Sequence, residues 1–151
     1  MDVEALWESW CAATVTFTPA TAPAPSWVLK PRRDDRPGEW PVPEVSSLTV
    51  VTAHNPRGMV VPPPANAEAG ARLLAEAVAS GWHYWKAVGA DADGHSEEGI
   101  AIADITESEG VAVGRRWDQL GIYRWQPERW SVLACDGSRR YDLGWDLEYR
   151  S

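Results

Sequence analysis

The sequence predicts an α+β domain in which two helices pack on one face of a mostly antiparallel sheet. Three observations carry that prediction. From Leu48 onward, β-branched apolar runs and amphipathic stretches follow the order β-α-β-β-α-β, the split βαβ or ferredoxin-like order. The last stretch alternates apolar and acidic residues with period two, which extends the core as a C-terminal β-meander. The chain has 151 residues, 44% of them hydrophobic and 24% charged, which suits a single globular domain over 1–151.

Ahead of the core, Val3 to Ala13 is helix-permissive, and Leu6, Trp7 and Trp10 make one apolar face. Thr14 to Thr18 alternates as a first strand, so 1–18 reads as an N-terminal helix and strand. Segment 19–47 is a Pro-rich arm, with Pro19, Pro23, Pro25, Pro31, Pro37, Pro41 and Pro43. Such proline density opposes both a regular helix and a central strand. Trp27, Val28, Leu29 and Trp40 interrupt it, which predicts an irregular arm packed across the domain.

The core occupies 48–125. Leu48 to Ala53 is a buried strand, and Val60 to Pro64 is a loop. Asn66 is the expected N-cap of a helix that runs to Ser80 and stops at Gly81. His83 to Val88 and Ile100 to Ile105 read as strands separated by the turn-rich Gly89 to Gly94. Thr106 and Glu109 form a T-x-x-E capping box that opens a second helix. Ile122 to Trp125 and Trp130 to Cys135 are further strands. In the extension 126–151, an Asp136-Gly137 turn leads to Tyr141, Leu143, Trp145, Leu147 and Tyr149, which alternate with Asp142, Gly144, Asp146 and Glu148. This strand is chain-terminal and acidic on one face, so it is expected at a sheet edge, where its charges discourage further pairing.

Several function classes are disfavoured. A net charge of −8 argues against nucleic acid or an anionic membrane as partner. The N-terminal sequence is acidic where a signal peptide is basic, and no apolar run approaches the roughly 20 residues of a membrane span. A cytoplasmic protein is expected. Cys11 and Cys135 lie in apolar surroundings without a C-x-x-C motif and read as buried free thiols. His54, His83 and His95 lack metal-ligand spacing, so neither metal nor cofactor is expected. Gly110 and Gly114 are read as allowing close helix–sheet packing. Most of the ten tryptophans fall in apolar phases and suit a core. Trp27 and Trp40, on the proline arm, are candidates for a pocket lid or an interaction surface.

Five motifs follow one another at suitable spacing. They are Thr52-Ala53-His54-Asn55-Pro56, Asn66, the Gly-rich link Gly89 to Gly94, His95-Ser96-Glu97-Glu98, and Gly114-Arg115-Arg116-Trp117-Asp118-Gln119. In these the sequence resembles the bacterial domain-of-unknown-function family 3293 (DUF3293) over about Leu48 to Trp125. The resemblance implies a bacterial origin and a compact α/β domain, and it brings no known reaction. The sequence departs from the family pattern at His95, where a Trp is usual, and at Leu120-Gly121, where Asn-Ala is usual.

The candidate site is the rim that follows the first core strand. His54, Asn55 and Arg57 leave the strand end, and Asn66 begins the next helix, whose N-terminus would favour an anion. Arg57 would add bidentate recognition of a carboxylate or phosphate. Gln119 completes the expected ligand set, and His54 as general base with Glu98 as acid is the candidate catalytic pair. Against this stands ordinary turn chemistry, since Asn55-Pro56 initiates turns and Asn66 caps helices. The leading expectation is a small anionic ligand bound at this rim. The alternative is a protein-interaction or regulatory, defence-associated module that presents its acidic edge strand and Trp-rich surface to a protein partner.

Overall fold

The computed structural model describes residues 2–21 and 25–150; Pro23 of the arm lies outside them. Among the described residues there are eight strands: β1 (Thr14–Pro19), β2 (Ser26–Arg32), β3 (Leu48–Thr52), β4 (Tyr84–Ala90), β5 (Ser96–Ala103), β6 (Gly121–Gln126), β7 (Arg129–Ala134) and β8 (Arg140–Arg150). They pair antiparallel throughout and close into a barrel in the order β1-β2-β8-β7-β6-β3-β5-β4. Helices α1 (Val3–Ala12), α2 (Pro63–Ser80) and α3 (Glu107–Arg116) surround it.

This corrects the expected architecture. The sheet is not an open ferredoxin-like one with two helices on one face. The element order from β3 to β6 supplies one wall of the barrel, β6-β3-β5-β4. An open wall would leave the backbone groups of β4 and β6 unpaired along both edges. Here β1 pairs with β4 and β7 pairs with β6, and β2 and β8 join the two ends. Two strands made this hard to foresee. β2 lies inside the proline arm, with Pro31 opposite Trp145. β8 is not an edge strand: Arg140 to Leu143 pair with β7, and Gly144 to Arg150 pair with β2. Its acidic face is neutralised from β2, where Lys30 reaches Glu148 at 2.8 Å and Arg32 reaches Asp146 at 2.9 Å. The acidic edge invoked for a protein partner is therefore absent.

Strand alternation divides the apolar residues into two layers. Inward-facing Val15, Phe17, Leu29, Leu48, Trp85, Trp125, Trp130 and Trp145 fill one end of the lumen. Trp125 lies 5.0 Å from both Phe17 and Trp145, centroid to centroid. The arm stops this end of the barrel. Trp40 packs 4.7 Å from Trp125, and its indole N–H donates to the carbonyls of Val42 (2.7 Å) and Val45 (2.9 Å). Trp27 is packed against the same cluster, so neither arm tryptophan is a lid. The outer layer joins the wall to α2 and α3 through Val51, Leu73, Ala77, Ile100, Ile102, Val113 and Ile122. A Cβ on Gly110 would come within 2.7 Å of Thr49, and one on Gly114 within 2.8 Å of Cys135, so both let α3 approach the wall closely. Cys11 and Cys135 are buried and free.

Helix α2 begins four residues earlier than expected. Pro62 is its N-cap, with proline in the first turn, and Asn66 sits inside that turn without capping it. Proline suits these positions because its fixed φ matches the helix and its missing N–H has no partner to lose. The Thr106–Glu109 capping box is present, with both of its bonds at 3.1 Å.

Candidate functional site

Toward the α1 end of the barrel, the inward positions change from large to small. β4 contributes Ala87 and Gly89, β5 contributes Gly99, and β6 contributes Gly121. The space left is a cavity of about 510 Å³, roofed by Leu6 and Trp10 of α1 and bordered by Val60 and Leu120. A Cβ on Gly89 would meet no atom within 4 Å, so this strand faces open space. Drug-sized ligands occupy cavities of this order, lined by apolar groups with a few placed polar ones.

Glu97 is the outstanding polar group. It lies directly across from Gly89 in the β4–β5 ladder, in phase with the lumen residues Gly99 and Ala101. Its side chain is 27% exposed, with His95 Nε2 at 3.6 Å. Glu97 accepts no side-chain hydrogen bond from a described donor. Burial pushes its carboxyl above the usual range, and His95 opposes that shift. Tyr123 also lines the cavity; its phenol is pushed up, first by burial and then by the charge on Glu97, and donates to the Trp10 carbonyl at 3.3 Å. Asp91 caps its own turn, with Oδ1 accepting from the N–H groups of Asp93 and His95, both at 3.0 Å.

The rim loop is built by an asparagine pair. Asn55 is left-handed (φ 47°) and 7% exposed. Its N–H donates to Asn66 Oδ1 at 2.8 Å, and its own Oδ1 accepts from Asn66 Nδ2 (3.0 Å) and the Val61 N–H (3.1 Å). This clamp fixes the loop over Pro56–Gly58 against the first turn of α2. Gln119 secures the strand end through its Nε2, which donates to the His54 carbonyl at 3.1 Å.

Of the residues singled out in the sequence, Asn55 and Gln119 line the cavity; His54, Arg57, Asn66 and Glu98 do not. Arg57 is exposed and donates its backbone N–H to the Asp118 carbonyl at 2.6 Å. His54 stands against α2: a Cβ on Gly70 would lie 3.5 Å from its Nε2. Burial lowers its pKa, and the charge on Glu98 opposes that. Glu98 is exposed and takes the opposite strand phase from Glu97, so the expected acid–base pair is not in the cavity. Nor does the start of α2 offer free donors. Pro62, Pro63 and Pro64 have no N–H, and the N–H groups of Ala65 and Asn66 both go to the Pro62 carbonyl.

Sequence reasoning missed Glu97, Thr52, Tyr123 and Gly89 as site residues. The signal was strand phase. With the strand begun at Ile100, Glu97 carried no face; begun at Ser96, it shares the lumen face with Gly99. Among the described residues, no three or more His, Cys, Asp or Glu side chains converge as metal ligands.

Fold and site together define an eight-stranded antiparallel barrel with helical cover and a ligand-sized cavity in one mouth. Residues 51–122 match the family described as a protein of unknown function, DUF3293, which bears out the resemblance over just under half of the chain. No curated protein and no solved structure matches. The matched segment holds α2, β4, β5 and α3 entire, together with the end of β3 and the start of β6.

Proposed function

We propose that the protein binds a small molecule with a largely apolar body inside the barrel mouth. The observation that carries this reading is the cavity of about 510 Å³ lined by Ala87, Gly89, Gly99 and Gly121, with open space at the Gly89 Cβ position. Elsewhere the same barrel fills its lumen with tryptophan, in keeping with the close packing of protein interiors. The exposed apolar residues Val60 and Leu120 at the rim give such a ligand an apolar way in. A bacterial cytoplasmic setting belongs to the same reading. The family resemblance supports the first part; two buried free thiols support a reducing compartment. No described helix is long and apolar enough to cross a membrane.

The test is a fragment screen by amide NMR on the wild type and Gly89→Leu. The leucine side chain would occupy the open space beside β4. Fragments that move the amides of Gly89, Gly99 and Gly121 in the wild type, and lose binding in the variant, support the reading. A screen in which no fragment moves these amides refutes it.

A further inference from the structure

We propose that the ligand is a small amine, its cationic nitrogen held by the Glu97 carboxylate and its apolar body lying along Ala87, Gly89 and Gly99. The proposal rests on the cavity being a ligand site. Its polarity comes from the charges on the lining. Asp91, Asp93 and Glu97 line the cavity with His95, and neither lysine nor arginine does. Arg57, the cation nearest in sequence to the rim, is exposed and absent from the lining. An anion entering the mouth would meet three carboxylates, a like-charge arrangement that selects against it.

Glu97 differs from the other two acids. Asp91 is occupied in its own turn, and Asp93 is exposed on it. Glu97 is partly buried, with 27% of its side chain exposed, and no hydrogen bond within 3.5 Å from a described donor ends on its carboxylate oxygens. A partly buried carboxylate with open acceptor positions has room for a charged donor from the cavity side. His95 stands at 3.6 Å, beyond hydrogen-bonding range, and its side chain is half exposed. The residue opposite on β4 is Gly89, and the space is empty to 4 Å around its missing Cβ. An ammonium group in this space gives Glu97 a charge-assisted hydrogen bond, which is roughly twice as strong as a neutral one. The alkyl or aryl remainder replaces water against small apolar walls.

Three probes of one shape separate the possibilities: 2-phenylethylamine, 2-phenylethanol and 3-phenylpropionate. Each is titrated at pH 7.5 into the wild type, Glu97→Gln and Gly89→Leu, with amide shifts at Gly89 and Gly99 as readout and circular dichroism to verify folding. The expected result is that the amine binds at least tenfold more tightly than the alcohol. Glu97→Gln removes that preference while alcohol binding is retained, and Gly89→Leu binds neither. Equal binding of amine and alcohol, or preference for the carboxylate, overturns the amine assignment and leaves the cavity as a ligand site. An amine preference that persists in Glu97→Gln also overturns it. No shift at Gly89 or Gly99 with any probe overturns both readings. If Glu97→Gln does not fold, the three probes on the wild type still decide the polarity.

Discussion

Two glycines face the same cavity and should respond oppositely to the same added methyl group. At Gly89 a Cβ meets nothing within 4 Å, and the backbone φ is outside the left-handed region. Replacing it with alanine restricts the unfolded chain and costs the folded chain no contact, so Gly89→Ala should stabilise by about 0.4–1 kcal/mol. At Gly99 a Cβ would run into the carbonyl oxygen of Val51 and lie 3.0 Å from the Thr52 Cα. Both atoms belong to the backbone of β3, which is held in register with β5 from Leu48↔Ala103 to Thr52↔Gly99 and cannot step aside as a side chain would. Overpacking of this kind costs about 1–3 kcal/mol, so the two variants should differ by roughly 1.5–4 kcal/mol. Urea unfolding followed by far-ultraviolet circular dichroism measures this, with the m-value checked for constancy. On heating, each kcal/mol corresponds to roughly 2–4 °C in Tm for a domain of this size. If Gly99→Ala proves as stable as Gly89→Ala, the close approach of β3 to β5 does not exist, and the wall that carries Glu97 is wrongly placed.

Three further predictions follow from the same contacts. Asn66→Ala leaves the Asn55 N–H without its acceptor and takes the Asn66 Nδ2 donor from the Asn55 Oδ1, for a loss of about 1–3 kcal/mol; hydrogen exchange at the Asn55 amide should accelerate with it, and unchanged protection would sink the clamp. Partial burial lowers the His54 pKa in the folded state, so its contribution is complete above its unfolded value of 6.5 and is lost as pH falls through the lowered folded value. Between pH 7.5 and 5.5, wild type should therefore lose more stability than His54→Gln; parallel curves would count against a buried imidazole. Cys135 is buried, and that burial pushes its thiol up to about 11, so at pH 8 it should be unreactive toward a thiol reagent until the protein is unfolded; prompt labelling in the native state would contradict its place beneath α3.

How far the sequence could be read depended on how local each signal was. The capping box at Thr106 and Glu109 is a four-residue device, and it folds as written. The period-two pattern of β8 also marks a strand, but its faces did not reveal its neighbours. The acidic residues that suggested an edge instead meet Lys30 and Arg32 across the β2 ladder, 114 or more residues distant in sequence. β2 itself was hidden by the prolines around it. Pro31 occupies a ladder position opposite Trp145, and composition alone argued against a strand there. Asn66 misled for a different reason. It is a residue type that caps helices, yet Pro62 to Pro64 begin the helix first, leaving Asn66 free to pair with Asn55. Barrel closure is the sum of such nonlocal pairings, and no window of sequence contains it.

The cavity has the same divided origin, and this bears on what the matched family segment can determine. Asp91, Asp93, His95 and Glu97, with Asn55, Gln119 and the open position at Gly89, all fall within residues 51–122. Leu6 and Trp10 of the roof, Val132 of β7 and Tyr123 fall outside it. The charged groups of the lining are thus carried by the matched segment, and much of the apolar enclosure is supplied by elements that the match does not reach. Those same outside elements close the barrel, because β1 covers the free edge of β4 and β7 covers that of β6. Closure and enclosure are therefore a single structural event: the strands that satisfy the edges of the wall also bring in α1 and β7 to roof its cavity. A change in α1 at Leu6 or Trp10 should alter the shape of ligand accepted while leaving the charge preference set by Glu97 in place.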